Sequence, residues 1–274
     1  MLVRVGYSND PDDAFMIWAL ATGAVETRGF DIRLVSEGIQ TLNEWALEGR
    51  LEVTALSLAA YPLVQDRYVL LPHGASIGVG YGPIVVTREL LTLDQLRRTQ
   101  IVVPGRLTTA FLVLGLALGG PFDYRELPFD RILDEVRSGR AEAGLLIHEG
   151  QLTYAAAGLE KSLDLGDWWL DETGLPLPLG VTAARRDVPD VVVLSDVLRA
   201  SIDAGLAHRN EALAYAREFG RGLDAALADR FVALYVNELT LGYGDEGRRA
   251  VEELLRRAQA AGVYEDVRLE FVGA

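Results

Sequence analysis

RAEAGLLIHE, Arg140–Glu149, is the stretch whose reading decides the fold. Ala143 to Ile147 form a short continuous apolar run, the pattern of a strand covered on both faces. His148 and Glu149 then end it with two polar groups. An imidazole left without partners in a packed interior would cost a few kcal/mol, so His148 either caps a core network or faces a crevice.

Working outward, the flanking segments repeat a strand and helix grammar. Leu2–Tyr7 reads as a strand that passes through Ser8-Asn9-Asp10 into a helix, with Pro11 suited to its first turn and Asp12 and Asp13 at its positive end. Ile32–Val35 leads to a helix entered at Thr41, and Val53–Leu56 runs through Ser57 into a helical pattern. Thr92 is placed to cap a short helix, Ile101–Val103 is a strand, and Pro104 to Thr109 turns into the apolar helix Ala110–Gly120. Pro176 and Pro178 forbid a helix and favour an extended passage into Val181–Ala183. Nearly everything after Pro189 is helical, with Ser195 as a cap and breaks at Gly220 and Gly222.

This order predicts an α/β protein with mostly parallel sheets. Its length of 274 residues suits two cores. The expected division is a larger discontinuous domain over 1–88 and 184–274, a smaller inserted one over 89–183, and a ligand cleft between them. That is the plan of the two-lobed (type II) periplasmic-binding-protein-like fold.

Composition excludes several functions. A net charge of −14 with dispersed acids argues against nucleic acid and anionic lipid as partners. No cysteine is present, which removes disulfides, thiolate nucleophiles and cysteine-held metals. One lysine, Lys161, and three histidines, at 73, 148 and 208, leave little for a Schiff base or a histidine-rich metal centre. Neither a metal nor a cofactor is expected. The opening strand is not a charged-then-apolar leader, and the Ala110–Gly120 run is too short to span a bilayer, so a cytoplasmic protein away from membranes is expected. Oligomeric state is not legible.

Small polar residues gather at one edge. Ser8, Thr41 with Asn43, Ser57, Thr108 with Thr109, and His148 all fall just past the carboxyl ends of predicted strands, the edge where open α/β sheets bind ligands. Taken singly they are ordinary helix caps. Thr108-Thr109 is the best anion site, because a helix start and two hydroxyls can hold a carboxylate without a cation, and Gly105 permits close approach. His148 is the candidate general base, while His73 and His208 read as structural or surface residues. Gly74-Ala75-Ser76-Ile77-Gly78 resembles a nucleophile elbow but is followed by another strand, and Gly78, Gly80 and Gly82 open no helix for a dinucleotide. The pair Trp168-Trp169 reads as packing.

These residues carry a family resemblance. Thr41-Leu42-Asn43, Trp45 to Leu51, Leu56-Ser57 with Ala59-Ala60-Tyr61, Pro104-Gly105-Arg106 with Thr108-Thr109-Ala110, Asp130 to Leu133, Ile147-His148-Glu149, Thr173 to Gly180, Tyr235-Val236-Asn237 and Glu246-Gly247 together resemble the 1,4-dihydroxy-6-naphthoate synthases of the futalosine route to menaquinone. The resemblance implies a cofactor-independent carbon–carbon lyase acting on an anionic small molecule, cyclic dehypoxanthinylfutalosine. It carries the family's base onto His148 and its polar cleft residues onto Asn43, Ser57, Thr108 and Thr109. One loop departs: the family pattern Ser-Pro-Cys-Pro-Asn-Asp-Thr-Phe here reads Ser8-Asn9-Asp10-Pro11-Asp12-Asp13-Ala14-Phe15. The added carboxylates are expected to weaken the binding of an anion. Two other readings share the fold: a non-catalytic solute-binding protein for small carboxylates, and the sister chorismate dehydratase, which typically has Gly-Asp where His148-Glu149 stands.

Overall fold

The apolar run at Ala143 is a central strand of the computed structural model, which describes residues 1–220 and 224–273. The expected break at Gly222 lies outside the described residues. In chain order the first elements are β1 (Leu2–Ser8), α1 (Pro11–Thr22), β2 (Asp31–Glu37), α2 (Ile39–Glu48), β3 (Val53–Ser57), α3 (Tyr61–Val64), β4 (Tyr68–Leu70), β5 (Ser76–Gly78) and β6 (Ile84–Thr87). Then follow α4 (Leu93–Leu96), β7 (Ile101–Val103), α5 (Thr109–Leu118), β8 (Tyr124–Glu126), α6 (Phe129–Arg137), β9 (Ala143–Leu146), α7 (Gly150–Thr153), β10 (Glu160–Asp164), α8 (Leu165–Thr173) and β11 (Leu177–Arg185). The chain closes with α9 (Val191–Ala207), α10 (Arg209–Ala216), α11 (Ala225–Tyr235), α12 (Glu238–Leu241) and α13 (Gly244–Ala260).

Two sheets result. One runs β2-β1-β3-β11-β4 with β5 also on β11; the other runs β10-β6-β9-β7-β8. The expectation of mostly parallel sheets is corrected, because both are mixed. The pairs β1/β2, β1/β3, β7/β8 and β7/β9 are parallel, but β11 runs antiparallel to β3, β4 and β5, and β6 runs antiparallel to β9 and β10. The antiparallel pairs belong to the two strands that cross between sheets. A crossing strand must satisfy its backbone along its length, so it joins the sheet it enters. The chain thus enters the second sheet with β6 at Ile84 and is back in the first with β11 at Leu177.

Capping follows the sequence at α1 and α4, whereas α2 opens at Ile39 behind Gly38 and takes Thr41 into its first turn. Asp10 caps α1 by accepting from Asp13 N, Thr92 and Gln95 form a capping box, and Gly23 and Gly49 close their helices in the left-handed conformation. Ser195 is not a cap; it lies inside α9, where its hydroxyl and carbonyl meet His73 Nε2 at 2.9 Å. Helix α5 is apolar on nearly all sides and buried, and its Val113 and Leu114 join Leu58, Trp169 and Leu254 in one cluster. That cluster also holds Leu56 of one sheet and Leu145 of the other, so the two expected cores fuse. On β9, a Cβ at Gly144 would stand 2.6 Å from Ile132 Cγ2 and 2.7 Å from Val136 Cγ2. Glycine is what lets α6 lie directly on the strand that ends at the histidine.

Candidate active site

The strand ends meet in a cleft of about 640 Å³ lined by Ser8, Asp10, Asp12, Ser57, Thr108, Thr109 and His148. Its floor includes Leu179 to Val181 of the crossing strand β11. The loop after β1, the helix start after β7 and the turn after β9 thus face one space, as the strand-end pattern predicts.

His148 stands two residues beyond β9 with φ of +53°, a left-handed backbone rare for a side chain with a Cβ. Its neighbours hold it there. Nδ1 is 3.1 Å from Asp10 Oδ2, and the ring lies edge-on to Phe129 with centroids 4.7 Å apart. With its amide turned to satisfy its surroundings, Gln151 accepts from His148 N at 3.2 Å and donates to the Tyr81 hydroxyl at 2.9 Å and the Gly82 carbonyl at 2.8 Å. The pairing with Asp10 places the ring proton on Nδ1. Nε2 is buried without a hydrogen-bond partner in the protein, so its lone pair is free to act as a base.

Asp10 has the ionised role. Burial alone would push its carboxyl up, but the facing imidazole, Asp12 and the Asp13 N–H hold it below the usual carboxylate range. Asp12 and Asp13 go the other way, pushed well up by burial and then by the charge on Asp10. Asp13 Oδ2 accepts from Ser8 N at 2.6 Å, and Asp12 Oδ2 accepts from the Ser76 hydroxyl at 3.0 Å. The anticipated excess of negative charge is therefore small: one carboxylate faces an imidazole and two carboxyls favour the neutral form. Ligand atoms of Asp10, Asp12 and His148 lie within 4.8 Å of one another, a spacing that would also admit a cation.

The remaining site residues divide. Ser8 lines the cleft, and its Oγ is buried without a partner. Asn43 is fully buried behind the cleft-lining Ser57: its Nδ2 donates to Ser57 Oγ at 2.9 Å and its Oδ1 accepts from Ser57 N at 2.8 Å. It positions Ser57. The threonine hydroxyls are also committed, Thr108 Oγ1 donating to the Gly105 carbonyl at 2.7 Å and Thr109 Oγ1 to the Leu179 carbonyl at 2.6 Å. What they leave for an anion is the start of α5, where the N–H groups of Thr109 and Ala110 have no carbonyl a turn behind them. Gly105 serves a close approach, but to protein: a Cβ there would fall 2.2 Å from Gln40 Oε1. Arg106 is exposed. Trp169 is core, its Nε1 donating to the Pro176 carbonyl. Asp10, Asp12, Ser76, Gln151 and Tyr235 also line the cleft without having been expected there; Asp10 and Asp12 carried a signal as departures from the family loop, and Tyr235 as part of a matching stretch.

Comparison with known proteins bears on this cleft. A family model for menaquinone biosynthesis matches residues 3–260. The chain belongs to that family. A member from Thermus thermophilus, 1,4-dihydroxy-6-naphthoate synthase, is 45% identical over 263 residues, 95% of each chain. A crystal structure of an Archaeoglobus fulgidus protein superposes with a TM-score of 0.91 at 44% identity, over 96% of this chain and 98% of that one. More distantly, the alkanesulfonate-binding protein of Xanthomonas axonopodis, solved with MOPS, gives a TM-score of 0.66 at 14% identity over 85% and 84%. That likeness establishes the periplasmic-binding-protein-like fold of this family member and nothing about its ligand. No helix among the described residues is long and apolar enough to cross a membrane.

Proposed function

We propose that the chain is a lyase that forms 1,4-dihydroxy-6-naphthoate from cyclic dehypoxanthinylfutalosine, with His148 as general base and no cofactor. The observation that carries this reading is the Asp10–His148 pair, which leaves an unpartnered Nε2 in a cleft shared with the start of α5. The substrate's carboxylate would sit on the N–H groups of Thr109 and Ala110, with the Ser57 and Ser8 hydroxyls offering further polar contacts. In a hydroxyl-first course, Nε2 takes a substrate O–H proton and that oxygen forms a carbonyl. The adjacent carbon–carbon bond breaks, and its electron pair passes into the ring, which becomes aromatic. The imidazolium so formed is stabilised by Asp10.

We take each sheet as the centre of one lobe, with closure between them excluding water from the bound substrate. We place the reaction in the cytoplasm. The test is turnover of the cyclic substrate by His148→Gln. A fall in kcat of about 10²–10⁴-fold is expected, with the bound naphthoate still retained. Near wild-type turnover removes His148 as the base, and recovery of unchanged ligand from the wild-type protein favours a solute-binding role.

A further inference from the structure

Asp12 lines the cleft beside Asp10 and is the one carboxyl of the first loop with a buried oxygen that lacks a hydrogen-bond partner. The residue is 5% exposed, its Oδ2 is taken by the Ser76 hydroxyl, and Oδ1 has no partner in the protein. Around it stand Asp10 and Asp13 on the same helix, His148 beyond β9, Ser76 on β5, and the Tyr81 and Tyr235 hydroxyls. Asp10 already holds the imidazole and the Asp13 N–H, so it is the better site for a negative charge. A second charge on the orphan oxygen of Asp12 would be both desolvated and repelled.

We propose that Asp12 is a specificity-determining residue that stays a neutral carboxyl and donates the proton on Oδ1, as a hydrogen bond, to an oxygen acceptor on the ring system of the substrate. It stands where the family loop carries asparagine, and a neutral carboxyl offers the same pairing of one donor and one carbonyl. The direction in which burial and Asp10 push this group agrees with that geometry. This inference rests on the naphthoate reading above. It goes further by assigning the ring oxygens, rather than the carboxylate, to the α1 side of the cleft. Once Asp12 ionises, the donor is lost and a like charge faces the ligand.

The test is calorimetric titration of the wild type, Asp12→Asn and Asp12→Ala at one near-neutral pH, under anaerobic conditions, each variant checked for an unchanged melting profile. Two probes are used: 1,4-dihydroxy-6-naphthoate, and 2-naphthoate, which lacks ring oxygens. Asp12→Ala should bind the hydroxylated probe about tenfold more weakly than the wild type, Asp12→Asn should keep the wild-type affinity, and 2-naphthoate should show no such difference between the proteins. Equal affinity of the wild type and Asp12→Ala for the hydroxylated probe overturns the role of Asp12, and Asp12→Asn binding about tenfold tighter than the wild type overturns the neutral carboxyl. So does a wild-type affinity that a chelator alters, because a cation rather than a proton would then bridge the trio. If neither naphthoate binds any of the proteins, the functional reading and this one fall together; if both bind all three proteins alike, only the Asp12 assignment falls.

Discussion

Asp10 Oδ2 and His148 Nδ1, 3.1 Å apart, join the cap of α1 to the turn beyond β9. One carboxylate thereby ends a helix and fixes an imidazole contributed by the other sheet. Its two oxygens divide the work, since Oδ1 accepts from Asp13 N at 3.2 Å while Oδ2 faces the ring.

Replacing Asp10 with asparagine keeps the shape and removes the charge. The amide can turn its NH₂ toward the ring and select the tautomer with the proton on Nε2, which cannot act as a base. We expect Asp10→Asn to lower kcat by about 10²–10⁴-fold with a much smaller change in KM. Steady-state kinetics on the cyclic substrate check this, and a kcat within about twofold of wild type would show that the pair is not used.

Asn43 acts at one remove. Truncation to alanine leaves the buried Ser57 N without its acceptor and the Ser57 hydroxyl without its donor. The expected cost is about 1–3 kcal/mol. For a chain of this size that lowers the melting temperature by roughly 2–4 °C per kcal/mol. Because Ser57 then loses its fixed orientation, KM should rise while the pH profile of kcat keeps its shape. Calorimetric melting alongside kinetics separates the two effects; an unchanged KM would mean that Ser57 does not meet the substrate.

His73 should make the protein acid-sensitive. Burial holds its ring down to about 4, against an ordinary value of 6.5. The folded state therefore binds fewer protons than the unfolded one between those values. Its contribution is complete above pH 6.5 and declines as pH falls toward 4, by up to about 3 kcal/mol. Denaturant titrations at about pH 7.5 and 5 measure the loss. His73→Gln should flatten the dependence whatever its effect on absolute stability, and a slope equal to that of the wild type would contradict the assignment.

What the sequence made legible was local. The apolar run at Ala143, the caps at Thr92 and the glycines at 23 and 49 are signals contained within one element, and each is where its chemistry puts it. The gathering of Ser8, Ser57, Thr108 and His148 in one cleft was also visible, because strand ends in an α/β sheet share an edge. Pairing direction was not visible. Residues 84–87 and 177–185 look like any other strands, and only the crossing between sheets makes them antiparallel. Roles that depend on a distant partner were hidden too: Asn43 reads as a cleft residue without showing that Ser57 occupies both ends of its amide, and Ser195 reads as a cap until His73 claims it.

Thr109 carries a consequence for motion. Although α5 follows a strand of the second sheet, the Thr109 hydroxyl accepts from Ala59 N at 3.1 Å and donates to the Leu179 carbonyl, both on the first-sheet side. This dowel pins the anion seat to the frame that bears Ser57, so any breathing of the molecule must carry seat and frame as one piece. Asp10 ties the imidazole to that same frame, so base and seat keep one spacing.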